Sequence, residues 1–194
     1  VSGFAKHRKS GRIIADFTGF EAELLRSLAG QLVELLHNET AEPRDDRDPL
    51  EAMLDFSGPT SEPEDPVLAR LFPTAYPDDD EAAAEFRRFT EGALRDGKSR
   101  AAETIIDSLE EAGLPPELTE DGLHFDVELD EPEAMTWMRS FTDIRLALAT
   151  RLGIEEGDEE YWASLPDEDP TLQAHDIYEW VGYLQETLVE ALQR

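Results

Sequence analysis

The chain has 194 residues, 40% hydrophobic and 32% charged, and 46 acidic against 17 basic side chains leave a formal charge of −29. That length suits a single domain, 1–194, with enough apolar residues for a core, while the charge excludes a general nucleic-acid binder and argues against docking on anionic lipid. The absence of cysteine excludes disulfides, thiolate metal sites and thiol catalysis within this chain.

The first fifteen residues break the acidic pattern. Lys6, Arg8, Lys9 and Arg12 all precede the first acid, Asp16. Residues 4–8 and 12–17 flank Lys9-Ser10-Gly11, a Gly-bearing turn, which predicts a β-hairpin with Ile13, Ala15 and Phe17 on one face. A lone hairpin is marginal in water and needs a further strand or a helix to cover it. Leu123, Phe125, Val127 and Leu129 alternate with His124, Asp126 and Glu128 and supply that strand.

Helices account for the rest. Thr18 with Glu21 is a capping-box pair, and the leucine stripe Leu24, Leu25, Leu28, Leu32, Leu35, Leu36 predicts a helix over 19–38. Residues 39–64 read as an acidic, proline-containing loop with a short amphipathic insert, Leu50 to Leu54. Asp65-Pro66 opens a short helix that Pro73 and Pro77 close. Asp78 to Glu81 open the next, which could run to Ala112 and is expected to carry Ala82, Phe86, Phe89, Ala93, Ala101, Ile105 and Leu109 as its apolar stripe. Gly97 is expected to break or bend it, and Gly113 before Leu114-Pro115-Pro116 ends it. Asp130 and Glu133 cap a helix carrying Trp137, Phe141, Ile144, Leu148 and Leu152 up to Gly153. A polar stretch with Glu155 to Glu160 then leads to Asp169-Pro170 and a final helix with Ile177, Val181, Leu184, Leu188 and Leu192. The fold class is mainly α: a helical bundle with a small antiparallel sheet made of the N-terminal hairpin and one later strand. The stripes of the last two long helices suit a core or a homodimer face equally, and burial decides between them.

Chemistry-bearing patterns are few. His7, His37, His124 and His175 are scattered, no G-x-S-x-G elbow occurs, and Gly97-Lys98-Ser99 lacks the upstream glycine of a phosphate loop. The expectation is a protein that is not an enzyme, with no cofactor and no metal. His175 and Glu179 could share a helix face, but in so acidic a chain neighbouring carboxylates arise readily without a ligand. The candidate binding residues are Lys6, Arg8, Lys9 and Arg12. They form either a charged wing for DNA phosphate or an acidic protein, or a group neutralised internally, with Lys6 and Arg8 near Asp126 and Glu128. Arg70, Arg87, Arg145 and Arg151 fall close to apolar stripes and are expected to pair with acids and stitch helices, as Arg139 would with Asp143 at i, i+4.

Three blocks in order carry a family resemblance. They are Asp65-Pro66-Val67-Leu68-Ala69-Arg70-Leu71-Phe72-Pro73-Thr74-Ala75-Tyr76, then Glu85-Phe86-Arg87-Arg88-Phe89-Thr90, then Trp137 followed by Asp143 to Gly153. Together with the hairpin, the chain resembles an actinobacterial domain-of-unknown-function family that includes oxidative-stress regulators called AosR. The resemblance implies a cytoplasmic regulator acting with RNA polymerase through an alternative sigma factor. A redox sensor of that kind is expected to use cysteine pairs, and this chain has none, so a disulfide switch within it is impossible. Met53, Met135 and Met138 are poor substitutes, the last two being expected in or near the core. The resulting expectation is a cytoplasmic, non-enzymatic regulator that binds a protein partner, RNA polymerase or a sigma factor, with DNA contact through the basic hairpin as the alternative and no membrane association.

Overall fold

The computed structural model describes residues 3–38, 59–118, 122–166 and 168–194. The greater part of the acidic loop, residues 39–58 with Met53, lies outside the described residues. Strands β1 (Ala5–Lys6), β2 (Ile13–Thr18) and β3 (His124–Leu129) form one antiparallel sheet in the order β1-β2-β3. The described helices are α1 (Gly19–Asn38), α2 (Pro66–Leu71), α3 (Asp80–Glu111), α4 (Glu131–Leu152), α5 (Glu159–Ser164) and α6 (Pro170–Gln193). Mainly helical with a small sheet is the architecture expected from the sequence.

Period-two alternation sets the register of the sheet. Ile13 pairs with Leu129, Ala15 with Val127 and Phe17 with Phe125, so all six turn one face inward and are buried. The hairpin closes through Gly11 at φ 70°, with the His7 amide donating to the Arg12 carbonyl at 2.8 Å. Only a residue tolerant of left-handed backbone fits at Gly11.

The helices cover that face. Phe4, Phe17, Trp137 and Phe141 form an aromatic cluster in which Trp137 meets Phe4 edge-on at 5.7 Å and stacks on Phe17 at 6.3 Å. The core continues through Leu25, Leu32 and Leu36 of α1, Ile105 and Leu109 of α3, and Leu184 and Leu188 of α6. The stripes of α4 and α6 are therefore core: Trp137, Phe141, Ile144, Val181, Leu184 and Leu188 are buried within the chain itself.

Caps stand where the sequence placed them. Glu21 and Thr18 exchange capping bonds at the α1 start, and Asp130 with Glu133 completes a capping box on α4. Asp65, Asp79 and Asp169 accept from the first free amides of α2, α3 and α6. Asp65 also holds the Arg151 guanidinium at 2.6 Å, tying α2 to the end of α4. Burial works against its charged form, but the bonds from Arg151, Val67 and Leu68 outweigh it and hold its carboxyl below the usual 3.8. A carboxyl depressed on folding adds stability above its unfolded pKa, and that stability is lost as pH falls through the folded value. Asp65→Asn keeps the cap and removes the charge, so it should cost about 0.5–1 kcal/mol at pH 7. Urea midpoints should show that gap to wild type narrowing as pH falls below 4, and a gap that does not narrow at all contradicts the assignment.

Three expectations are corrected. Gly97 neither breaks nor bends α3, which runs unbroken from Asp80 to Glu111. The glycine is exposed with open space beside it, while Arg95, Lys98 and Ser99 around it are anchored to other elements. Tertiary bonds thus override a local propensity penalty of about 1 kcal/mol, which Gly97→Ala should recover as a raised urea midpoint. Asp143 pairs with Lys98 of α3 at 2.6 Å rather than with its helix neighbour Arg139, which is exposed. Finally, part of the polar stretch after Gly153 is the helix α5, held by Trp162, which is buried and stacks on His175 at 4.4 Å.

Candidate functional site

The N-terminal half of α3 has its amphipathic order reversed. Arg87, Glu91 and Arg95, spaced i, i+4, i+8, are buried at 8%, 2% and 5% exposure, whereas Phe86, Phe89 and Leu94 are 43%, 69% and 49% exposed. The sequence reading assigned Phe86 and Phe89 to the core stripe, and the structure overturns this. The cause is what lies opposite. Glu91 accepts from Arg87 at 2.6 Å through one carboxylate oxygen and from Arg95 at 2.8–2.9 Å through the other. Each guanidinium also donates to a backbone carbonyl, Arg87 to that of Phe72 at 3.2 Å and Arg95 to that of Leu36 at 3.0 Å. Arg95 also lies over the Phe72 ring at 4.9 Å.

Those bonds give the triad a structural task. Leu36 and Phe72 lie at the C-terminal ends of α1 and α2, where carbonyls have no partner within their own helix and a cation is favoured. One helical turn on, Lys98 reaches Asp143 of α4, and Ser99 meets His37 of α1 at 3.2 Å and Glu103 at 3.2 Å. The polar seam therefore joins α1, α2 and α4 to the inner face of α3 and leaves its aromatic residues outside. Tyr76, 48% exposed, packs edge-on against Phe86 at 5.8 Å, and Arg88 lies over Phe89 at 5.6 Å. The outcome is a ridge of large apolar side chains on a strongly acidic protein.

The basic hairpin is arranged differently from the internal-neutralisation expectation. Because β2 separates β1 from β3, Lys6 and Arg8 lie away from Asp126 and Glu128. Arg12 instead approaches Glu128 at 3.5 Å and Glu133 at 3.6 Å and donates to the Glu128 carbonyl at 3.0 Å. Lys6, Arg8 and Lys9 are exposed and make no ion pair among the described residues. The structure keeps these three together at the hairpin and turns Arg12 to a structural use.

The helix arginines divide in the same way. Arg87 and Arg151 pair with acids, and Arg70 is exposed. Arg145 bridges α4 to α6 through Gln185 at 3.0 Å and the Tyr178 hydroxyl at 3.2 Å, with its guanidinium 4.9 Å from the Tyr178 ring. Glu179, Glu186 and Glu190 line the same recess, which makes it a poor place for an anion. Among the described residues no group of three or more His, Asp or Glu is placed to hold a metal ion. His175 is used in the stack on Trp162, whose indole donates to Asp158 at 2.8 Å. No helix of the described chain is long and apolar enough to cross a membrane.

The ridge was within reach of the sequence. Arg87, Glu91 and Arg95 repeat at i, i+4 as regularly as any apolar stripe, with alternating charge. Treated as one self-neutralising face, they would have turned Phe86 and Phe89 outward.

A family model described as a domain of unknown function (DUF2017) matches residues 2–192. The AosR protein of Mycobacterium leprae is 33% identical over 186 residues, which is 89% of this chain and 78% of the relative. The oxidative stress regulator AosR of Mycobacterium bovis is 30% identical over 199 aligned residues, 95% of this chain and 84% of its own. The Mycobacterium tuberculosis protein of that name matches to the same extent. No solved structure matches the chain.

Proposed function

This chain belongs to the DUF2017 family, and from that premise we propose that it is a non-enzymatic cytoplasmic regulator that works by binding a protein partner, RNA polymerase or a sigma factor. The regulator reading is supported by the similarity to oxidative stress regulators named AosR. The protein-binding reading rests on one observation, the exposed ridge of Phe86, Phe89 and Leu94 on a helix that buries its charges instead. Large apolar side chains exposed together on one helix are a usual mark of an interaction surface. A formal charge of −29 adds steering toward a basic partner, which raises association rates at low salt and fades as the Debye length shrinks. Without cysteine the chain cannot sense oxidants through disulfides of its own.

Affinity capture of the tagged protein from native lysate, at low and at high salt with mass-spectrometric identification, tests this reading. Polymerase or a sigma factor enriched at low salt and depleted at high salt supports it. Capture of metabolic or proteolytic proteins in their place overturns it. A second reading, contact with DNA, has its own observation in Lys6, Arg8 and Lys9, which are exposed and make no ion pair among the described residues. Replacing these and Arg12 with alanine should abolish retardation of DNA in a gel, and unchanged retardation removes that reading.

A further inference from the structure

The α3 ridge is set among carboxylates. Between residues 76 and 96, Asp78, Asp79, Asp80, Glu81, Glu85 and Asp96 are exposed, and the only exposed cation is Arg88, because Arg87 and Arg95 are buried. Beside the ridge a cavity of about 280 Å³ opens between the end of α2 and α3, lined by Phe72, Pro73, Ala83, Phe86 and Leu94 together with Thr90 and the Arg87–Glu91 pair. It has room for one or two branched aliphatic side chains. Phe86, Phe89, Ala93 and Leu94 follow i, i+3, i+7, i+8 spacing on the outer side of the helix, which is a spacing a second helix would match.

We propose that this ridge and cavity dock an amphipathic helix of a protein partner, with its apolar stripe on Phe86, Phe89 and Leu94 and its lysines and arginines over Asp78 to Glu81. The inference rests on the protein-binding reading above and names the surface and the chemistry of what it binds. Charge selects among occupants. A second copy of the chain would bring the same carboxylates against each other across a two-fold axis, and a nucleic acid would bring phosphate against them. Basic charge alone would be met anywhere on this surface, and an apolar face alone gains nothing from the acidic rim. A segment carrying both is recognised here through the helix-in-groove mode.

The test uses the full chain and a fluorescein-labelled amphipathic helical peptide built of leucine and lysine, with a leucine–glutamate peptide of the same pattern as control, followed by anisotropy. The basic peptide should bind and the acidic one should not. Phe86→Ser, Phe89→Ser and Leu94→Ser together should weaken binding at least about tenfold. Their side chains are outside the core, so the far-ultraviolet spectrum and melting should be retained. Asp78→Asn, Asp80→Asn and Glu81→Gln together should weaken binding at low salt and flatten its salt dependence; Asp79 is spared as the helix cap. Unchanged binding in the serine variant, or equal binding of the two peptides, overturns the proposal. So does a wild-type dimer that the serine variant turns into a monomer, since a second copy would then be the occupant. Capture of polymerase or a sigma factor without peptide binding sinks this surface alone, whereas capture of neither sinks the broader reading.

Discussion

Glu91→Ala should lower the thermal midpoint by roughly 6–20 °C, the equivalent of about 3–5 kcal/mol in a chain of this length. Glu91 is 2% exposed and uses both carboxylate oxygens, one on Arg87 and one on Arg95. Removing it leaves two guanidinium groups side by side in a low-dielectric setting. The cost is that of losing the one carboxylate that bridges Arg87 and Arg95, well above the worth of an exposed helix pair of the same spacing, about 0.3–0.5 kcal/mol. The comparison that isolates this cause is Arg87→Met, Glu91→Leu and Arg95→Met together. Replacing a whole buried ionic group by apolar residues is often close to neutral, although here the Leu36 and Phe72 carbonyls lose their donors. The triple variant should therefore be more stable than Glu91→Ala alone, and a less stable one would show that the carbonyl bonds outweigh charge balance.

Trp137→Ala is expected to cost about 3–5 kcal/mol, close to the whole stability margin of many domains. Trp137 is fully buried and touches Phe4, Phe17 and Phe141, so it joins both arms of the hairpin to α4. Its indole also donates to the Ser108 hydroxyl of α3 at 3.2 Å. Truncation opens a large cavity at the meeting point of sheet and bundle, and the rings around it cannot collapse without moving β1. Trp137→Phe keeps most ring contacts and loses the bond to Ser108, so it should cost far less. Urea denaturation of the two variants separates packing from hydrogen bonding. An alanine variant within about 1 kcal/mol of wild type would show that the cluster relaxes.

Much of this fold was legible because single residues mark it. Asp65-Pro66, Asp169-Pro170 and the Asp130–Glu133 pair each start a helix where local chemistry requires it. The strict alternation of residues 123–129 allowed only one inward face. Periodicity failed where burial depends on the facing element. In α3 the apolar and the charged residues both recur at helical spacing, and only the carbonyls of Leu36 and Phe72 across the seam decide which set turns in. Helix α5 escaped because six residues rich in acid give too short a period, and its anchor is one tryptophan against a histidine of α6. The basic hairpin could be found from charge alone. Which of its members is free could not, since that follows from the strand order β1-β2-β3.

The same limit applies to the site. Phe86 and Phe89 recur at the spacing of a core stripe, but a stripe by itself does not say which side of the helix meets the protein. Burial of Arg87 and Arg95 turns that stripe outward and leaves Phe86, Phe89 and Leu94 exposed on an acidic protein.

The most direct test is quantitative capture from native lysate with the wild-type protein and the Phe86→Ser, Phe89→Ser, Leu94→Ser variant in parallel at low salt. If the α3 ridge is the docking surface, polymerase or a sigma factor is enriched by the wild type and falls to background with the variant, both proteins being equally folded. The same partner retained in equal amount by both would contradict it and move the interface elsewhere on the molecule.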